Sequence, residues 1–241
     1  MIGSRWLYGL NTDILGHIVE LLSGMPLSEF FQKEIFEPLH MTNTGFVVDA
    51  ENQALLSHCY EVTSGHQLKV STAAERDRSK IKPMLSGGGG LVSTIDDYSK
   101  FAKMLAQEGR FLDGDGKQKQ LLSAASVRAM RTNHLPEGVD LASYGFDKGF
   151  SETVGAGYGF GYGMSTVKDP ALVAGGALSP VSEFGWGGIA STAFFVDPVN
   201  DIVMVFMTQL IPSKAYPVRA HLKWLTHWLC RDDLSDDSTA K

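Results

Sequence analysis

The chain has 241 residues, 44% of them hydrophobic, with 21 basic and 27 acidic side chains and a net charge of -6. That is enough apolar material for one sizeable domain, 1–241, with a packed core. Its densest basic stretch, Arg76-Asp77-Arg78-Ser79-Lys80, is too small to form an electrostatic footprint, which excludes nucleic acid as a partner.

Asn11 or Thr12 caps a predicted first helix in which Ile14, Leu15, Ile18, Leu21 and Leu22 recur at helical spacing, closed by Gly24 and Pro26. Ser28 caps a second, with an apolar stripe of Phe30, Phe31, Ile35 and Phe36 that stops near Pro38. From Asp49 to Pro83 the pattern is irregular and polar, a surface excursion with short extended pieces such as Gln67 to Val70. Ser86-Gly87-Gly88-Gly89-Gly90 then feeds Thr94-Ile95-Asp96-Asp97, a capping-box pattern ahead of the helical stripe Tyr98, Phe101, Met104 and Leu105. A further helix is expected from Ser123 to Arg131. Tyr158, Phe160, Tyr162 and Met164 alternate with intervening residues at period two, a strand signal. Ser191 to Val196 and Ile202 to Gln209 flank the turn Asp197-Pro198-Val199-Asn200-Asp201 as an antiparallel hairpin. Val218, Leu222, Leu225 and Leu229 stripe a last helix, and 231–241 reads as a polar, disordered tail. Helices at 8–150, then sheet and terminal helix at 155–230, make the chain α+β.

Several chemistries are excluded by what is absent. No G-x-S-x-G, H-E-x-x-H, Walker A or EF-hand signature occurs, and no metal or cofactor is expected. Gly185-Trp186-Gly187-Gly188-Ile189-Ala190 fits G-x-G-x-x-A, but strand sequence follows it where a dinucleotide site requires a helix. The run Gly87 to Gly90 lacks the Lys-Ser pair of a phosphate loop and reads as a turn. The seven histidines share no ligand spacing, and His17 reads as a surface residue. Cys59 and Cys230 match neither a zinc spacing nor C-x-x-C, which fits a reducing compartment or simple buried thiols and leaves one disulfide open; the compartment is not identified by the sequence, with a cytoplasmic one favoured. The longest apolar runs, Ile202 to Met207 and Thr192 to Val196, are strand-sized, so no membrane span is expected, and Met1 to Trp6 shows no signal-peptide pattern.

Four stretches, in order, resemble the serine β-lactamase-like superfamily in its family VIII carboxylesterase form, related to class C β-lactamases. They are Trp6-Leu7-Tyr8-Gly9-Leu10-Asn11-Thr12-Asp13, Phe36-Glu37-Pro38-Leu39-His40-Met41-Thr42-Asn43-Thr44-Gly45-Phe46, Ser86 to Thr94, and Gly185-Trp186-Gly187-Gly188-Ile189-Ala190-Ser191-Thr192. The resemblance implies a β-lactamase/transpeptidase-like fold: an antiparallel sheet flanked by helices, a helical lobe beside it and the site in the cleft between them. In that family a serine of an S-x-x-K motif attacks a carbonyl, and lysine and tyrosine move its proton, because a hydroxyl is a poor nucleophile until a base takes that proton. Tyr8 matches the tyrosine. Trp186, Gly187 and Gly188 match the third motif as substrate-binding residues. The backbone N–H of Ile189 matches one arm of the oxyanion hole, the other being the N–H of the serine itself.

Two departures favour esters over β-lactams. Leu10 stands where the lactamase form has asparagine, and Trp186-Gly187-Gly188 stands for Lys-Thr-Gly. The expected substrate is a small carboxylic ester, hydrolysed through an acyl-enzyme. With seven residues before Tyr8, the S-x-x-K segment and the N-terminal strands of the fold are missing from this chain. The internal match, Ser79-Lys80-Ile81-Lys82, precedes Pro83 and lies in a solvated stretch, Glu75 to Arg78, so it is not expected to be catalytic. The chain alone is therefore expected to be inactive, with self-association through an exposed sheet edge. A non-catalytic module binding a ligand or partner chain, and β-lactamase or D-amino-acid peptidase activity in a longer form, are the alternatives.

Overall fold

The computed structural model describes residues 5–72, 78–144 and 155–232. The stretch Glu75-Arg76-Asp77 and the tail beyond Asp232 lie outside them. Helix α1 (Asn11–Ser23) ends as expected, because Gly24 takes the left-handed conformation (φ 69°) that closes a helix without a side-chain clash. Its start differs. Leu10 is the N-cap and no side chain caps it. Helix α2 (Leu27–Phe31) begins before Ser28, because the orphan N–H of Leu27 is accepted by the Glu20 carboxylate of α1 at 2.9 Å. It continues into a π-helical turn, Gln32–Phe36, that buries Phe36. The α1 stripe is apolar as read but not buried: Ile14, Leu15, Ile18, Leu21 and Leu22 are 42% to 84% exposed. The helix packs instead by its opposite side, where Gly16 touches Leu27 and Gly87.

Strands β1 (Tyr60–Val62) and β2 (Leu68–Val70) form a hairpin in the surface excursion. Helix α3 (Ile95–Ala106) starts at Thr94, whose hydroxyl accepts from the N–H of Asp97. Asp97 itself is buried. Its carboxylate accepts from the N–H of Asn43 at 2.7 Å, the Thr44 hydroxyl at 3.0 Å and the Lys100 ammonium at 2.9 Å, which fastens the segment after α2 to α3. An unexpected hairpin follows, β3 (Arg110–Leu112) and β4 (Gln118–Gln120), turning through Asp113-Gly114-Asp115-Gly116. Helix α4 (Ala124–Met130) is capped by Ser123.

The alternating run that reads as one strand is two pieces. Strand β5 (Tyr158–Phe160) stops at Gly161, where a Cβ would meet the Met130 carbonyl oxygen at 1.8 Å, and the chain reverses through Gly163 (φ 86°) into β6 (Ser165–Val167). Strands β7 (Phe184–Gly187), β8 (Ala193–Asp197) and β9 (Ile202–Phe206) complete a five-stranded antiparallel sheet in sequence order, with β5 and β9 at its ends. The β8–β9 turn is the expected one, closed by Asp197, which accepts from the N–H groups of Val199 and Asn200. The continuation to Gln209 does not hold. The chain leaves the sheet after Phe206, and β10 (Leu210–Ile211) pairs in parallel with β1. Helix α5 (Val218–Asp232) closes the described chain.

Side chains alternate across the sheet, so its two faces have different occupants. Phe184, Phe194 and Val196 face α3 and form the main core with Ala102, Met104, Leu105, Phe36, Leu39 and Met41. Phe195, on the opposite face, stacks on His227 of α5 at 5.2 Å. The stripe read for α5 is a correction: Leu225 and Leu229 are exposed, and Arg219, Lys223 and His227 are the buried side.

Candidate active site

Tyr8 lies just before α1, and the Trp186 side chain projects from β7 on the α3 face of the sheet. Their rings stack with centroids 6.0 Å apart and planes at 29°. Trp6 braces the pair, 5.7 Å from Tyr8 and 6.5 Å from Trp186, and Phe160 of β5 meets both tryptophans edge-on at 5.1 and 5.3 Å. The N–H of Trp6 donates to the Tyr144 carbonyl at 2.8 Å, holding this segment beside the sheet. Tyr8 and Trp186 thus meet although nearly the whole chain separates them. Such offset and edge-on aromatic contacts contribute about 0.5–1.5 kcal/mol each beyond their burial. Trp6 and Phe160 escaped sequence reasoning, since a lone aromatic beside a turn or in a strand carries no signature beyond apolar bulk.

The glycine turn is built against α1. A Cβ on Gly87 would lie 2.2 Å from the Thr12 carbonyl oxygen, and one on Gly88 would lie 2.5 Å from the Thr12 hydroxyl. Ser86 donates its hydroxyl to the Asp13 carboxylate, which locks the turn to the first turn of the helix. Close helix packing therefore accounts for these glycines. Ser79 and Lys82 lie outside any helix and are exposed, so no helical turn places them on one face. His17 is an exposed residue beside Glu20. Cys59 and Cys230 are both free thiols, and burial pushes the Cys59 thiol up, with the nearby Glu61 carboxylate adding to it.

Gly187 continues β7 toward the face opposite Trp186, and a Cβ there would meet the Arg219 guanidinium carbon at 2.8 Å. After it, Gly188 donates its N–H to the Thr192 carbonyl at 2.9 Å and accepts from the Ser191 N–H at 3.1 Å, making a tight turn with Ser191 at φ 69°. Ile189 is the second residue of that turn and is 78% exposed. Its N–H is not the one that closes the turn.

Between β7–β8 and α5 lies a cavity of about 650 Å3, lined by Trp186, Gly187, Gly188, Ile189, Arg219 and Lys223 among others, with Tyr8 outside its lining. At its inner end is a buried charged cluster. The Lys223 ammonium contacts the Glu183 carboxylate and donates to the Tyr158 hydroxyl at 2.9 Å; His227 Nε2 meets Glu183 at 2.6 Å and its Nδ1 lies 3.8 Å from Asp197. Burial opposes charge on Lys223, but Tyr158 and Glu183 outweigh it and hold the ammonium above its ordinary range. Burial pushes the Tyr158 phenol up. Glu183, Asp197 and His227 present donors close enough to share a metal ion. Lys223 and the turn amides at Val199 and Asn200 already engage those carboxylates, so the set is chemically an ion-pair network.

Known proteins resemble this chain over most of its length. A sequence model of the family described as Beta-lactamase matches residues 2–227. An uncharacterized protein of Mycobacterium tuberculosis is 32% identical over 217 residues, covering 88% of this chain and 50% of its own length. Esterase EstB of Burkholderia gladioli is 28% identical over 222 residues, 86% of this chain and 50% of its own. Among solved structures, simvastatin synthase from Aspergillus terreus superposes with a TM-score of 0.77 at 20% identity, over 95% of this chain and 56% of that one. The hydrolase EstCE1 gives 0.69 at 25% identity, over 93% and 56%. The chain spans about half the length of the curated relatives it matches. With the match running from before Tyr8 to the buried face of α5, the chain belongs to the β-lactamase family and has its α+β, serine β-lactamase/transpeptidase-like fold.

Proposed function

We propose that this chain carries the tyrosine and third-motif part of a serine esterase site, acting on small carboxylic esters through an acyl-enzyme, with the nucleophile outside the 241 residues. The observation that carries the reading is the stacking of Tyr8 on Trp186, with the 188–191 turn following at the end of β7. The Tyr8 hydroxyl relays the proton of the attacking serine, the N–H of Ile189 is one oxyanion donor, and Trp186 with the two glycines forms the substrate wall. Leu10 and Trp186 stand in place of the asparagine amide and lysine ammonium that would meet a β-lactam carboxylate, and the similarity to esterase EstB supports an ester. In a longer polypeptide that supplies an in-frame S-x-x-K segment, Tyr8→Phe is expected to lower kcat for a p-nitrophenyl ester by ~10²–10⁴-fold without changing the thermal midpoint. An unchanged rate would exclude Tyr8 as the proton relay.

The exposed surfaces support the same division of the site. Strand β9 pairs with β8 on one side and has no further strand neighbour among the described residues. The α1 stripe and the α5 residues Trp224, Leu225, Trp228 and Leu229 are exposed. An apolar strand edge of this kind pairs readily with another chain. Size-exclusion chromatography of the purified chain is expected to show self-association; a monodisperse monomer with a sharp cooperative melt would contradict it.

A further inference from the structure

We infer that Arg219 is a positioning residue that sets the direction of the Ile189 N–H. Arg219 lies in the first turn of α5 and is 6% exposed. It approaches the third motif from behind the sheet, where its Nη2 donates to the Gly188 carbonyl oxygen. That oxygen also accepts from the Ser191 N–H, so both of its lone-pair directions are used.

The Gly188 carbonyl and the Ile189 N–H belong to one peptide unit. The unit is planar and trans, so the two bonds point in opposite directions. Pinning the carbonyl toward α5 therefore turns the N–H away from α5. A cationic donor on the carbonyl also draws electron density through the amide and makes its N–H a stronger donor. The glycines fit the same arrangement: Gly187 clears the slot in which the guanidinium lies, and a Cβ on Gly188 would strike the Thr192 hydroxyl at 2.4 Å. Arginine suits the slot because its flat guanidinium presents a donor at the edge of a narrow gap, whereas lysine offers a rounder, more strongly hydrated head. The functional weight of this device rests on the reading of Ile189 as an oxyanion donor; the orientation of the peptide does not.

The test is an amide NMR spectrum of the ¹⁵N-labelled 241-residue chain, with butyrate as the carboxylate probe. In Arg219→Met the Ile189 and Ser191 amide resonances are expected to move, and the affinity for butyrate read at Ile189 to fall by about tenfold, the effect of losing one charged hydrogen bond. Arg219→Lys, which keeps the charge but not the flat donor edge, is expected to recover only part of both. Gly187→Ala brings a Cβ against the guanidinium at 2.8 Å and against the Thr192 carbonyl oxygen at 2.9 Å, so it too is expected to move Ile189, and adding Arg219→Met in that background is expected to move Ile189 less than Arg219→Met does alone. An unmoved Ile189 amide in folded Arg219→Met overturns the inference, as does an unmoved one in folded Gly187→Ala if the methionine variant does not fold. Failure of butyrate to shift Ile189 in the unsubstituted chain, with Arg219→Met still moving that amide, overturns the oxyanion reading and upholds the positioning role.

Discussion

Glu183→Ala is expected to lower the stability of the chain by about 3–5 kcal/mol, the usual cost of removing one partner from a buried ion pair. Glu183 is 2% exposed and is the centre of its cluster, with one carboxylate oxygen on the Lys223 ammonium and the other on His227 Nε2. Truncating it leaves a buried ammonium with the Tyr158 hydroxyl and leaves His227 with the more distant Asp197. The cluster joins β5, the segment entering β7, the end of β8 and α5, so the loss is expected to loosen α5 from the sheet. At about 2–4 °C per kcal/mol for a chain of this size, the thermal midpoint falls by roughly 10 °C. Lys223→Met is the informative contrast. It leaves Glu183 paired with His227 and places an apolar side chain beside Phe195, so its effect is expected to be smaller. Circular dichroism melts of the two variants check both statements, and an unchanged midpoint in Glu183→Ala would show that the cluster does not hold the helix.

That cluster also shows where sequence reasoning fails on this chain. Hydropathy assigns Arg219, Lys223 and His227 to solvent and Leu225 and Leu229 to the core, yet the charged side is buried. Its partners arrive from strands far away in sequence, and no window along α5 contains them. The α1 stripe fails differently. Its spacing identifies the apolar side of a helix correctly, but periodicity says nothing of whether a partner covers that side. Turn chemistry was more legible. Gly24, the Thr94 and Ser123 caps and the Asp197 turn all act where their local chemistry places them. The third motif was legible as a short pattern because it needs particular backbone geometry at successive positions, as Gly187 and Gly188 demonstrate. Trp6, Phe160 and Arg219 complete the same region without any such local mark.

The placement of the nucleophile is the point on which the functional reading turns. An ester needs an activated hydroxyl for attack, and neither a tyrosine relay nor an oxyanion donor substitutes for one. Ser79, the serine of the internal S-x-x-K match, is exposed, outside any helix and followed by Pro83 at four residues' distance. The most direct measurement is release of p-nitrophenol from p-nitrophenyl butyrate by the purified 241-residue chain. The rate is expected to equal that of buffer alone, and Ser79→Ala to change nothing; turnover above background that disappears in Ser79→Ala would place the nucleophile within this chain and contradict the division of the site proposed for it.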